Sequence, residues 1–90
     1  MTTAELKAKL KTFQTPTIDT RATASRIKSL RQNAGLSVHD IQELFKFEYP
    51  VAIYQWESGK TIPCNDNLLT LSKFYEIDIS EILVEKTQGS

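Results

Sequence analysis

An all-α fold is predicted by three observations. Apolar residues recur every three or four positions through most of the chain, the period of helices with one buried face. These runs are punctuated by residues that start helices, such as Ser37, Pro50 and Asp78, and by glycines that stop them, Gly35 and Gly59. No pair of strands and no internal repeat emerges from the pattern. Ninety residues, 40% of them hydrophobic, suffice for one small helical core and leave little room for a deep catalytic cavity.

Each element has its own signal. From Met1 to about Phe13, Leu6, Leu10 and Phe13 recur at helical spacing among Lys7, Lys9 and Lys11. The N-terminal arm is therefore either a short amphipathic helix or, being too short to hold itself, disordered. Pro16 between two threonines interrupts the pattern, and residues 14–22 read as a linker. Thr23 then caps the first bundle helix, in which Ala24, Ile27, Leu30, Arg31 and Ala34 keep the helical period before Gly35. Ser37 caps the second, with Asp40 reaching back as a short capping box and Ile41, Leu44 and Phe45 forming its apolar face. The segment Lys46-Phe47-Glu48-Tyr49 turns the chain. Pro50 opens a third helix that runs to about Ser58 and closes at Gly59. Ile53 and Trp56, three apart, mark its buried side, and Val51, Ala52, Tyr54, Gln55 and Ser58 are expected to face outward. After Pro63 and Cys64, the residues Leu68, Leu69, Leu71 and Tyr75 define a fourth helix. Asp78 with Glu81 caps a short fifth containing Ile79, Ile82 and Leu83.

Charge and cysteine content exclude several classes. The single cysteine builds neither a disulfide nor a thiolate metal site, and His39, the only histidine, has no neighbouring ligand, so no metal is expected. No apolar run is long enough to cross a bilayer and the N-terminus lacks a secretory core, which points to a cytoplasmic protein. The net charge is zero, but residues 1–33 hold seven Lys or Arg against two acids and residues 34–90 hold four against nine, balances of +5 and −5. The chain is a charge dipole in sequence. Its basic front would either orient it on a duplex or simply solvate helix faces.

The residues that carry a family resemblance are Arg26-Ile27-Lys28-Ser29-Leu30-Arg31, then Gly35-Leu36-Ser37, then Ile53 with Trp56-Glu57-Ser58-Gly59-Lys60, Pro63, and Leu68 to Ser72 leading to Ile77 through Leu83. In that order they resemble the lambda-repressor-like, or Cro-repressor-type (XRE-type), helix-turn-helix domains over roughly residues 23–84. The resemblance implies a compact five-helix bundle whose third helix enters the major groove and whose usual role is transcriptional control. Residues 1–22 are then an arm and linker, residues 23–84 the bundle with the motif at about 37–58, and residues 85–90 a tail. Three departures fall where such proteins meet DNA. The turn at Phe45 to Pro50 is one residue longer than usual, Val38 stands where a phosphate-binding glutamine is frequent, and Val51 with Ala52 replaces more polar residues.

The candidate base-reading residues are Val51, Ala52, Tyr54 and Gln55. The Gln55 amide suits an adenine edge, Val51 and Ala52 suit a thymine methyl, and the Tyr54 hydroxyl suits a phosphate or the groove wall. The candidate phosphate contacts are Lys46, Tyr49, Ser58 and Lys60. Glu57 is expected to pair with Arg26 or Arg31 of the first bundle helix. With no Cys/His or Ser/His arrangement and no phosphate-cradling glycine loop among three glycines, neither catalysis nor a cofactor is expected. The reading is therefore a sequence-specific regulator of double-stranded DNA, most simply a repressor, acting as a homodimer on a palindromic operator. Dimer contacts would come from Ile79, Ile82, Leu83 and Val84 or from Leu6, Leu10 and Phe13. The alternative is a protein-interaction module, such as the antitoxin of a toxin-antitoxin pair, whose N-terminal arm docks a protein partner.

Overall fold

In the computed structural model, which describes residues 1–86, the axis of the bundle is α2 (Thr20–Asn33). It begins earlier than the periodicity predicts. The Asp19 carboxylate accepts the Ala22 amide at 3.0 Å and so captures an orphan donor of the first turn, which extends the helix into the expected linker. Thr23 is not the cap. It is fully buried inside α2, and its hydroxyl accepts the Val84 amide at 2.9 Å.

Three more α-helices follow: α3 (Val38–Phe45), α4 (Val51–Ser58) and α5 (Asn65–Tyr75). The expected fifth bundle helix is a single 3-10 turn at Ile79–Glu81, where the Glu81 carboxylate accepts the Asp78 amide at 2.9 Å. Ile27, Ile41, Ile53, Trp56, Leu68, Leu71 and Ile82 form one buried cluster, drawn from every bundle element including the turn after the 3-10 segment. That is the all-α bundle expected from the helical period.

Two features lie outside the helical pattern. Thr17–Ile18, here β1, pairs antiparallel with Glu85–Lys86, here β2, and the Asp19 amide donates to the Val84 carbonyl at 2.8 Å. This corrects the expectation of no strand pair. Two-residue strands are too short to register as an alternation, and their partners lie at opposite ends of the sequence. Of the tail, residues 87–90 lie outside the described residues. At the other end α1 (Thr3–Lys9) is helical, held by a reciprocal capping box in which Thr2 and Glu5 each accept the other's amide. It buries no residue.

Candidate nucleic-acid interface

The second and third bundle helices are α3 and α4, joined by the five residues from Lys46 to Pro50. α3 opens with Ser37, whose hydroxyl accepts the Asp40 amide at 3.1 Å while Asp40 accepts the Ser37 amide at 2.8 Å. These bonds from the Ser37 backbone and hydroxyl hold the Asp40 carboxyl below its ordinary value. Val38, beside the cap, packs its side chain against the core. His39 is exposed and pairs with Glu43 one turn on at 3.2 Å.

The long turn is built rather than loose. Lys46 adopts the left-handed conformation, with φ 57° and ψ 37°, and so ends α3 in the way a glycine commonly does. The Gln42 side-chain amide then donates to the carbonyls of Phe47 and Glu48 at 3.2 and 3.3 Å, which satisfies acceptors that the turn would otherwise leave open. Phe47 folds back to stack on Phe45 at 5.0 Å, and both rings meet Trp56 edge-on at 5.3 and 5.9 Å. Neither role of Gln42 nor that of Phe47 follows from helical periodicity. The one available signal was two phenylalanines flanking Lys46 in a segment that otherwise reads as turn.

Behind α4, Glu57 pairs with Arg31 and not with Arg26. The Arg31 Nε and Nη2 donate to the two Glu57 oxygens at 2.7 and 2.9 Å, a bidentate fork between side chains only 12% and 8% exposed. The Glu57 hydrogen bond raises the Arg31 pKa above its ordinary value. Arg31 also donates to the Leu36 carbonyl at 3.0 Å, so one guanidinium ties α2 to both the entry of α3 and the end of α4. Arg26 donates instead to the Glu81 carbonyl. Nearby, burial pushes the Tyr75 phenol above its ordinary value.

What remains outward on α4 is a short face. Val51 and Tyr54 are each 57% exposed, Ser58 is exposed, and Gln55 is half-buried. Among the described residues the Gln55 side-chain amide has no protein hydrogen bond, whereas its carbonyl accepts from Lys60 at 3.0 Å and from the Ser58 hydroxyl at 3.2 Å. Ala52 departs from the expected outward position. It is half-buried against the core, because position 52 lies one turn before Trp56 and shares its side of the helix. Tyr49, 66% exposed, and Lys46 stand before α4, and Lys60 stands after it. Gly59, at φ 84°, makes the turn to Lys60 beside the start of α2.

Of the basic front, Lys7, Lys9 and Lys11 belong to the arm and Arg26 and Arg31 are spent on internal bonds, whereas Arg21 and Lys28 are exposed on α2, the Arg21 backbone lying beside Gly59 at the end of α4.

A capped helix, a fixed turn and a second helix presented on a bundle define the class, and comparison with known proteins agrees. A family profile described as helix-turn-helix matches residues 27–82, and the chain belongs to that DNA-binding family. The fold is similar to the structure of the S. venezulae BldD DNA-binding domain, at 23% identity and a TM-score of 0.61, covering 72% of this chain and 96% of that one. Among curated proteins none matches. No helix among the described residues is long and apolar enough to cross a membrane.

Proposed function

We propose that the chain is a sequence-specific regulator of double-stranded DNA, a repressor that binds as a homodimer with α4 in the major groove. The observation that carries the reading is the immobilisation of α4. Its inner side is locked by Ile53, Trp56 and the Arg31–Glu57 fork, while Val51, Tyr54 and Gln55 are left toward solvent between Lys46 and Lys60. Val51 reads a thymine methyl, Gln55 an adenine edge, and Tyr54 the groove wall or a phosphate. Ala52 contributes at most an edge contact. Lys46, Tyr49, Ser58 and Lys60 position the helix on the backbone.

A monomer of this size holds few phosphate contacts. Two copies on half-sites about 34 Å apart would supply both affinity and palindromic specificity. The test is selection from a randomised duplex pool at low and near-physiological salt, repeated with Gln55→Ala. A palindromic motif that blurs in the variant is the expected result. Retention without sequence preference that vanishes with salt would overturn base reading.

A further inference from the structure

α1 adds nothing to the core, yet it is capped at both backbone and side chain. Leu6 of this helix, with Leu10 and Phe13 just beyond its end, lines one shallow apolar groove, the three remaining 49%, 79% and 55% exposed. Lys7 and Lys9 also line that groove, with the Lys9 ammonium 5.3 Å from the centre of the Phe13 ring. A seven-residue helix does not persist in water on its own hydrogen bonds, so α1 calls for a cover.

A matching surface exists on the same molecule. Leu44 of α3 with Leu69 and Phe74 of α5 line a second shallow cleft, and the latter two are 50% and 44% exposed. Lys73 sits on the rim of this cleft and also borders an adjoining polar hollow that holds Glu76, Asp78 and Glu81. One surface is thus an apolar groove lined by two lysines, and the other an apolar cleft with Lys73 on its rim and three carboxylates in the adjoining hollow.

We propose that α1 of one copy docks on the α5 cleft of a second copy, which returns its own α1, so that two exchanged arms close a symmetric dimer. Two arms do not cover each other, because each brings three lysines. The complementarity is local: Lys7 and Lys9 at the arm's groove face Glu76, Asp78 and Glu81 in the hollow beside the cleft. A reciprocal exchange satisfies both docking surfaces under one two-fold axis and leaves none open. Of the other expected dimer surface, Ile82 is fully buried in the core, while Ile79, Leu83 and Val84 are half-buried along a shallow groove beside Ile18. The use of the dimer rests on the DNA-binding reading, but its association does not.

The test is sedimentation of the full chain without DNA, beside Leu6→Ala/Leu10→Ala and Leu69→Ala/Phe74→Ala, with thermal melts as the folding control. Wild type should dimerise, and each double variant should weaken dimerisation at least about tenfold while the bundle still melts cooperatively. Disulfide trapping identifies the partner surface. In a Cys64→Ser background, chains with Leu10→Cys mixed with chains with Leu69→Cys should yield a covalent heterodimer.

A wild-type monomer would overturn the proposal and leave the arm for a foreign acidic helix. A dimer insensitive to the arm would overturn it too. So would a bond that forms only within one chain carrying both cysteines, since that is closure of the arm on its own body. Selection of duplex DNA by wild type and Gln55→Ala is read separately, so failure of arm exchange and failure of DNA reading give different results.

Discussion

Trp56 sits where three aromatic rings converge, and at 4% exposure its removal opens a cavity that Phe45 and Phe47 do not fill without abandoning the turn. Trp56→Ala should therefore cost about 3 to 5 kcal/mol in urea unfolding, and any loss of DNA binding would follow from unfolding. The Arg31–Glu57 fork belongs to the same scale. Removing either partner leaves a nearly buried charge alone, so a double-mutant cycle with alanine at both positions should show coupling of about 0.5 to 3 kcal/mol. A coupling near zero would mean that the fork contributes nothing to stability. Lys46 gives a prediction with opposite signs. Its left-handed backbone is strained for any residue with a Cβ, so Lys46→Gly should stabilise the fold by about 1 kcal/mol in thermal melts. On the proposed interface it should weaken DNA binding and lower the salt slope by about one.

At the scale of elements, helix ends decide where the reading helix stands. Ser37→Ala removes the acceptor for the Asp40 amide and should cost about 1 kcal/mol. Because Asp40 is held below its ordinary value, its contribution is complete above about pH 4 and is lost as the pH falls through the lower folded value. Acid melts of Asp40→Asn should accordingly be flatter than those of wild type over that window. Much of this was legible in the chain, since the Ser37 cap, Gly35, Gly59 and the Ile53/Trp56 pair all announced themselves. The start of α2 was not. Asp19 and Thr23 are both competent caps, and the choice between them falls to Val84, whose amide claims the Thr23 hydroxyl from 61 residues away.

Within a single copy, the arm and the bundle are energetically separate. At concentrations low enough to keep the chain monomeric, deleting residues 1–13 should leave the melting temperature of the bundle unchanged, because α1 buries nothing within its own copy. Deleting residues from Val84 onward should lower it, because the strand pair and the Thr23 bond are lost. Parallel melts of the two truncations would reverse this assignment if the arm deletion proved the costlier one. Charge behaves in the same way at this scale. A basic first half is visible in the residue order, but two of its seven cations are bound inside the bundle and three ride on the arm, which leaves Arg21 and Lys28 as its exposed cations on α2.

Sequence by itself determined the helical class, the order of the bundle helices, their glycine stops and the identity of Ile53 and Trp56 as core. Those properties depend on residues within one or two turns of each other, and the 3.6-residue period exposes them. Tertiary structure decided which arginine meets Glu57, that Ala52 and Val38 lean on the core, that Gln42 and Phe47 hold the long turn, and that the chain's ends pair as strands. Each of these joins groups that the local period does not relate, or turns on the choice between equally competent partners. That choice is made by packing, which no local pattern records.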